Sequence, residues 1–446
     1  MTGNPLDPVL GKVAEALAKV VIQSAWNQSG KLFGWMGGRL NEGTRKLIYS
    51  ASQQYAQNYQ ERHGTLKVLG MQEPVQIESI YTEVQFLGKE AIRQYASLEE
   101  IEKAYAKRSS ERRFQAEDRK KQSGIKVANQ KQFLMVLGQP GSGKTTFLRR
   151  MGWEALKGRA GRYQYACMPI FIELKEFNTS DIDLKKTIID ELATCKYPEP
   201  QRSAEQLLDQ GKLLLLLDGL DEVNTNSEAL AIQRIQKFVD RYNQNRFICS
   251  CRTAAYQSRF RRFSDVVMAD FDDNQIRQYI TNWFSSKTDK VAKMAYKCWK
   301  LLNQADYKAA KELAQTPLLL TFLCLVYDDS QSFPKNRAVL YGDALDILLK
   351  RWAAEKRVAH DSIYKDLTVA LEEMMLAEIA YKGFHAKQLF FSRSEIMAQI
   401  REFLANNLNA PKHLDGDKVI DAIRIQQGIL VERARSVLSA AGDGQR

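Results

Sequence analysis

Phe133-Leu-Met-Val-Leu137, followed at once by Gly138-Gln139-Pro140-Gly141-Ser142-Gly143-Lys144-Thr145, is the stretch that decides the fold. It matches G-x-x-x-x-G-K-[ST] at every specified position. Its context agrees: an apolar run that reads as a strand comes before it, and Thr146-Phe-Leu-Arg-Arg-Met151, compatible with a helix, comes after. The glycines let the backbone turn tightly enough for several N–H groups to point into one concavity. The start of the helix adds a dipole that favours an anion. Lys144 is expected to reach the β- and γ-phosphates of a nucleotide, and the Thr145 hydroxyl to ligate Mg²⁺. Gly138 through Thr145, with Thr146, therefore form the expected phosphate cradle.

A cradle binds nucleotide; hydrolysis also needs a metal-holding acid and a group that orients water. Leu213-Leu-Leu-Leu-Leu217-Asp218 is an apolar run ending in a carboxylate, as expected of a buried central strand that delivers Asp218 to the carboxyl edge of a parallel sheet. Asp218 is the expected second Mg²⁺ ligand. In the following Gly219-Leu-Asp221-Glu222, Asp221 and Glu222 are candidates to polarise or position water. Phe247-Ile-Cys-Ser-Cys-Arg252 brings a guanidinium to the same edge, where its fork can bind phosphate oxygens and sense the γ-phosphate. In Thr316-Pro317-Leu318 a proline either breaks a helix or begins one.

Outward from these motifs, short apolar runs alternate with helical segments, the pattern of an α/β domain with a mostly parallel sheet. The expected strands are Phe133 to Leu137, Met168 to Leu174, Leu213 to Asp218, Phe247 to Ser250 and Asp265 to Met268. Residues 1–110 are expected to be helical, with Val9, Val13, Leu17 and Val20, and later Phe86, Ile92 and Tyr95, at helical spacing. The one expected break runs from Leu66 to Val75. Residues 111–130 are expected to form a basic linker, 131–271 the nucleotide-binding domain, and 272–335 a small helical domain with helices over Ile276 to Phe284, Lys290 to Gln304 and Ala309 to Tyr327. Residues 336–435 are expected to form a further, mostly helical domain closed by a strand at Gly428 to Glu432, and 436–446 a disordered tail.

With 446 residues, 44% hydrophobic and 26% charged, the chain has the composition of a globular protein of several domains. No apolar run is long enough for a transmembrane helix, and the interrupted apolar stretch from Val13 to Ile22 is not a secretory signal, so a cytoplasmic location is expected. The six cysteines are scattered, without a C-x-x-C pair, and indicate neither a zinc site nor a disulfide framework. Cys249 and Cys251 are expected on one face of a strand as small buried hydrophobes. The formal charge of +12 invites a polyanion partner. Of that excess, nine basic against four acidic residues between Ile101 and Lys126 contribute +5. No basic and aromatic interleaving of the nucleic-acid type stands out, so a nucleic-acid-associated AAA+-type ATPase is the alternative rather than the leading expectation.

Taken together, Gly138 to Thr145, Leu213 to Glu222, Arg252 and Thr316-Pro317-Leu318 resemble the NACHT family of STAND NTPases, over about residues 130 to 430, and Phe271-Asp-Asp-Asn-Gln-Ile276 with Trp283-Phe284, together with Tyr341 to Trp352, resemble its bacterial branch. The resemblance implies an AAA+-like α/β P-loop core flanked by an all-α N-terminal domain and by C-terminal helical and winged-helix domains. It implies ATP or ADP with Mg²⁺ as cofactors, Pro317 against the adenine and Arg252 as sensor. It also implies a slow ATPase that acts as a signalling switch in bacterial defence, self-associating in the ATP state in response to an activating ligand. Relatives continue into a segment whose histidine contacts the β-phosphate and then into a sensor repeat. None of His63, His360, His385 or His413 lies in that context, so a truncated member is expected.

Overall fold

The computed structural model describes residues 12–20, 42–67, 73–88, 121–178, 183–223, 225–253, 255–256, 260–336, 339–340, 342–343, 369–386, 388, 390–407, 419, 430–434 and 437–440. Its strands are β1 (Thr65–Leu66), β2 (Val75–Gln76), β3 (Gln85–Gly88), β4 (Gln122–Ser123), β5 (Phe133–Gly138), β6 (Met168–Glu173), β7 (Leu213–Asp218), β8 (Arg246–Arg252), β9 (Ser264–Met268), β10 (Phe390–Ser392), β11 (Leu430–Ala434) and β12 (Val437–Ala440). The principal sheet has seven strands in the order β4-β3-β9-β5-β8-β7-β6. Strands β9, β5, β8, β7 and β6 are parallel, while β3 and β4 join antiparallel at one edge.

All five core strands lie where the apolar runs predict them. A parallel strand covered on both faces reads as a continuous hydrophobic run, and β7 is buried at each of its positions. Its leucines divide by parity. Leu213, Leu215 and Leu217 enter one core with Cys249 and Cys251, and Leu214 and Leu216 enter the other with Ile248. Full burial of one such side chain contributes about 1.5–3 kcal/mol, so the run anchors the sheet. The expectation for Cys249 and Cys251 holds: both are buried, and both face the same core.

The N-terminal region departs from the helical expectation. Residues 12–20 and Glu42–His63 are helical, and the expected break from Leu66 to Val75 is bordered at its two ends by the paired strands β1 and β2. Phe86, however, lies in strand β3 rather than on a helix. Its ring packs edge-on against Phe147 at 5.0 Å, and Phe86 and Gly88 pair with Met268 and Val266. A four-residue strand is too short for its own periodicity to outweigh helical spacing to neighbouring apolar residues, and pairing with β9 decides its state. Ile92 and Tyr95 lie outside the described residues. Within the expected linker, β4 pairs with β3, and the helix Gly124–Gln130 buries Ile125, Val127 and Ala128.

Two helices expected to be continuous are divided. One breaks at Lys293, whose φ of 54° is left-handed, between Lys287–Ala292 and Met294–Leu302. The other breaks before Pro317, where Thr316 is extended (φ −99°, ψ 123°), as the residue before a proline must be; it separates Lys308–Ala314 from Pro317–Ser330. Farther on, the helices Val369–His385 and Arg393–Asn406 share a core of Leu371, Met375, Ile379, Ile396 and Ile400. Strand β12 pairs with both β10 and β11, so residues 437–440 of the expected disordered tail are strand; 441–446 lie outside the described residues.

Candidate nucleotide site

The loop between β5 and the helix Lys144–Leu156 turns on two glycines with left-handed backbones, Gly141 (φ 73°) and Gly143 (φ 92°). Side-chain-bearing residues rarely adopt that conformation, which explains the motif's glycine at 143 and suits a glycine at 141, where the motif itself allows any residue. Lys144 curls back over the loop: its Nζ donates to the carbonyls of Gly138 (2.9 Å) and Gln139 (3.0 Å). The ammonium thus lies against the loop at the N-terminus of a 13-residue helix. Thr145 and Thr146 form the first turn and are half-buried.

Strand order brings the remaining parts together. Because β8 lies between β5 and β7, Gly138 pairs directly with Arg252, and Leu217 pairs with Cys249. The phosphate loop, Arg252 and Asp218 therefore leave the sheet at one edge, the carboxyl edge where ligands bind in such sheets. Asp218 is buried, and one carboxylate oxygen, Oδ1, accepts from Ser250 Oγ at 2.6 Å. The same Oγ accepts from Gly219 N at 2.8 Å. Gly219 is left-handed (φ 78°) and turns the chain into Leu220–Glu222; a Cβ there would lie 2.8 Å from Glu222 Cδ. Glu222 is thereby folded back over the residue that follows Asp218.

Asp221 and Arg252 are both brought to this edge, and they pair with each other. Arg252 N donates to Asp221 Oδ1 at 2.9 Å, and its Nε lies 2.8 Å from Asp221 Oδ2. That Nε–H is not aimed at the oxygen, so the side-chain contact is an ion pair rather than a well-aligned hydrogen bond. The two side chains are only 4% and 3% exposed, which identifies Asp221 as a buried counter-ion for the arginine.

Pro317 arrives from the helical region. Leu318 N donates to Gly141 O at 3.2 Å, and a Cβ on Gly141 would lie 2.8 Å from Leu318 Cβ. A Cβ on Gly143 would meet Met268 Cε at 3.9 Å and Pro317 Cγ at 4.0 Å. Ser142 Oγ lies 3.6 Å from Met268 Sδ. Leu318, Met268 and Ser250 are thus residues of the site that sequence reasoning missed. Leu318 adjoins a quoted proline, and its signal was readable. Met268 depends on the placement of β9 beside β5, and Ser250 on its register with Asp218.

The donors fit an Mg-nucleotide. The Thr145 hydroxyl and Asp218 carboxylate are hard oxygen ligands of the kind Mg²⁺ takes along with phosphate oxygens and water, and Lys144 supplies a cation for the phosphates. Bound there, Mg²⁺ would neutralise phosphate charge. The cysteines offer no nucleophile: all six are free and buried, and burial pushes the Cys167 thiol up to about 12 and that of Cys195 up to about 11. No helix among the described residues is long and apolar enough to cross a membrane.

A phosphate loop after the central strand of a parallel sheet, with an acid at the tip of the next strand but one, defines a P-loop NTPase. Residues 132–287, about a third of the chain, match the model of the NACHT domain. No curated protein matches the sequence. Among solved structures, the chain is similar to PCH-2 of C. elegans at 11% identity and a TM-score of 0.27, over 46% of this chain and 66% of that one, just under two thirds of its length. It is also similar to Cdc6p of Pyrobaculum aerophilum (13% identity, TM-score 0.26, 69% of this chain and 83% of that one). A RuvB variant of Thermotoga maritima is similar at 13% identity and a TM-score of 0.32, over 78% and 96% of the two chains.

Proposed function

We propose that this NTPase is a nucleotide-controlled switch of the STAND type: a slow Mg-dependent ATPase that self-associates in its ATP state and serves cytoplasmic signalling in bacterial defence. The observation that carries the proposal is the seating of the helix Pro317–Ser330 on the phosphate loop through Leu318 N and Gly141 O, 3.2 Å apart. A helix outside the sheet that touches the loop where phosphates bind is placed to respond to them. Occupants that differ by one phosphate then make different contacts in the two arrangements of that helix, as a population switch requires. Pro317 lies beside Gly143, consistent with its expected place against the base. The activating ligand is a further partner in this scheme, its chemistry unspecified.

The test is nucleotide binding and assembly in purified protein. Lys144→Ala is expected to weaken ATP binding tenfold or more, equivalent to about 1.4 kcal/mol. Mass in solution is expected to rise when ADP is replaced by a non-hydrolysable ATP analogue. Unchanged affinity in Lys144→Ala refutes the nucleotide site, and a mass independent of nucleotide refutes the switch.

One observation favours the second reading, contact with nucleic acid. On the helix Met294–Leu302 the face opposite buried Met294, Cys298 and Leu302 carries Tyr296, Lys297 and Lys300, all exposed, with Lys293 just before it and Lys287 and Lys290 on the preceding helix. Tyr296 is 61% exposed. Basic and aromatic residues are therefore interleaved on one helix face, within the run Lys293-Met-Ala-Tyr-Lys-Cys-Trp-Lys300, whose alternation the sequence itself shows and which corrects the expectation that no such interleaving stands out. Lysines that track a phosphate backbone around a ring that stacks on a base predict single-strand binding that weakens steeply with salt. Salt-insensitive or absent binding to an oligonucleotide eliminates this reading.

A further inference from the structure

We infer that Ser250 is the positioning residue for the metal-binding carboxylate: its hydroxyl fixes one oxygen of Asp218 and the turn after it, orienting the other oxygen toward Mg²⁺. The inference rests on the proposed nucleotide site and adds to it a residue from a different strand. Four observations support it. Ser250 is 1% exposed, so no bulk water competes for its hydroxyl. The hydroxyl spends its proton on Asp218 Oδ1 at 2.6 Å, a short charge-assisted bond, and uses a lone pair to accept from Gly219 N at 2.8 Å. Both contacts converge on consecutive residues at the end of β7, where the strand gives way to a left-handed glycine and the direction of the Asp218 side chain is set. Finally, two residues farther along β8, on the same face, Arg252 grips Asp221 through its backbone and side chain. One strand thus holds both aspartates of the Asp218-to-Glu222 turn, and Ser250 is the member assigned to the metal ligand.

The chemistry explains why a hydroxyl is suited to this position. A carboxylate that must coordinate a divalent cation needs one oxygen held without losing its charge, and a neutral donor does that, whereas a cation would compete with the metal. Partners of this kind are known to orient metal ligands, and their loss typically costs 10–100-fold in metal affinity. Alanine leaves Gly219 N–H and Asp218 Oδ1 without the shared hydroxyl; threonine retains it.

The experiment compares wild type, Ser250→Ala, Ser250→Thr and Ser250→Cys for binding of a fluorescent non-hydrolysable ATP analogue, with Mg²⁺ titrated and with the metal chelated. Ser250→Ala is expected to lower Mg²⁺ affinity in the nucleotide complex about tenfold or more while changing metal-free nucleotide affinity less than twofold. Ser250→Thr is expected to restore metal affinity to within threefold of wild type. If Ser250→Ala does not fold, Ser250→Cys, which keeps the size with a weaker donor, carries the same comparison. An unchanged Mg²⁺ affinity overturns the inference. So does an equal loss with and without metal, which marks a merely structural role, or a folded threonine variant no better than alanine. Wild-type protein that binds no nucleotide instead overturns the proposed function itself, so the two failures are distinguishable.

Discussion

Removing the carboxylate of Asp221 tests the buried pair at the edge of the sheet. In Asp221→Ala, Arg252 keeps its guanidinium in a setting only 4% exposed and loses both the Oδ2 contact at 2.8 Å and the acceptor of its backbone N–H. Breaking one side of a buried ion pair costs about 3–5 kcal/mol, mostly the penalty of the charge left behind. For a domain of this size each kcal/mol shifts the melting temperature by roughly 2–4 °C, so a fall of about 10 °C is expected in the transition of the NTPase domain. Asp221→Ala/Arg252→Met removes both charges of the pair and is expected to recover more than half of the loss, because neither charge of the pair is left buried without the other. Differential scanning calorimetry of wild type, Asp221→Ala, Arg252→Met and the double variant closes the cycle. A single variant within about 1 kcal/mol of wild type, or a double variant no more stable than Asp221→Ala, refutes the view of Asp221 as a counter-ion and returns it to the candidates for positioning water.

Two further outcomes follow from the packing of the N-terminal helix. A Cβ at Gly152 would overlap the Tyr59 hydroxyl and approach Leu216 Cδ1 to 2.9 Å, so Gly152→Ala is expected to destabilise by about 1–3 kcal/mol in urea unfolding and by distinctly less in a Tyr59→Ala background, where only the Leu216 contact remains; additive losses would show that Tyr59 does not dock there. His63 packs at a tilt against Phe171, with ring centroids 4.5 Å apart, and burial, with the nearby charges of Arg149 and Arg62, lowers its pKa to about 3. The unfolded chain then binds the extra proton first, so the contribution of His63 is present above pH 6.5 and is lost as pH falls toward 3. Wild type is expected to lose about 2 kcal/mol more than His63→Gln between pH 7 and pH 5, measured as the difference in unfolding free energy; equal losses would contradict the buried neutral imidazole.

Much of the site was legible because its chemistry is local. The phosphate loop needs its glycines, lysine and threonine within eight residues, and Leu213 to Asp218 announces itself as a doubly covered strand with a carboxylate at its tip. Pairings between strands are not local. The bond from Ser250 to Asp218 spans 32 positions and appears only once β8 lies beside β7, and Met268 reaches the loop only because β9 lies beside β5. The pairing of Asp221 with Arg252 was hidden for the same reason: each was placed at the correct edge, but a sequence gives no distance between two residues there. Strand β3 was missed through shortness, since its four residues take their conformation from β9 rather than from their own pattern.

That strand changes how the N-terminal region must be regarded. Residues 1–110 were expected to form a module of their own, joined by a basic linker to the NTPase. Yet β3 is part of the seven-stranded sheet, and Gln275 Nε2 donates to Glu83 O at 2.7 Å, tying the same segment to the helix Asp273–Trp283. The helix Glu42–His63 is equally committed: Tyr55 donates to Pro169 O, Arg62 pairs with Glu191, and Tyr59 donates to Arg149 O at 3.2 Å on the helix that begins at Lys144. A cut at residue 110 would strip two strands' worth of pairing from β9 and β4 and uncover a buried tyrosine face. The helix Glu42–His63 and the helix that begins at the phosphate loop are therefore in direct contact, through residues that lie outside the expected linker 111–130.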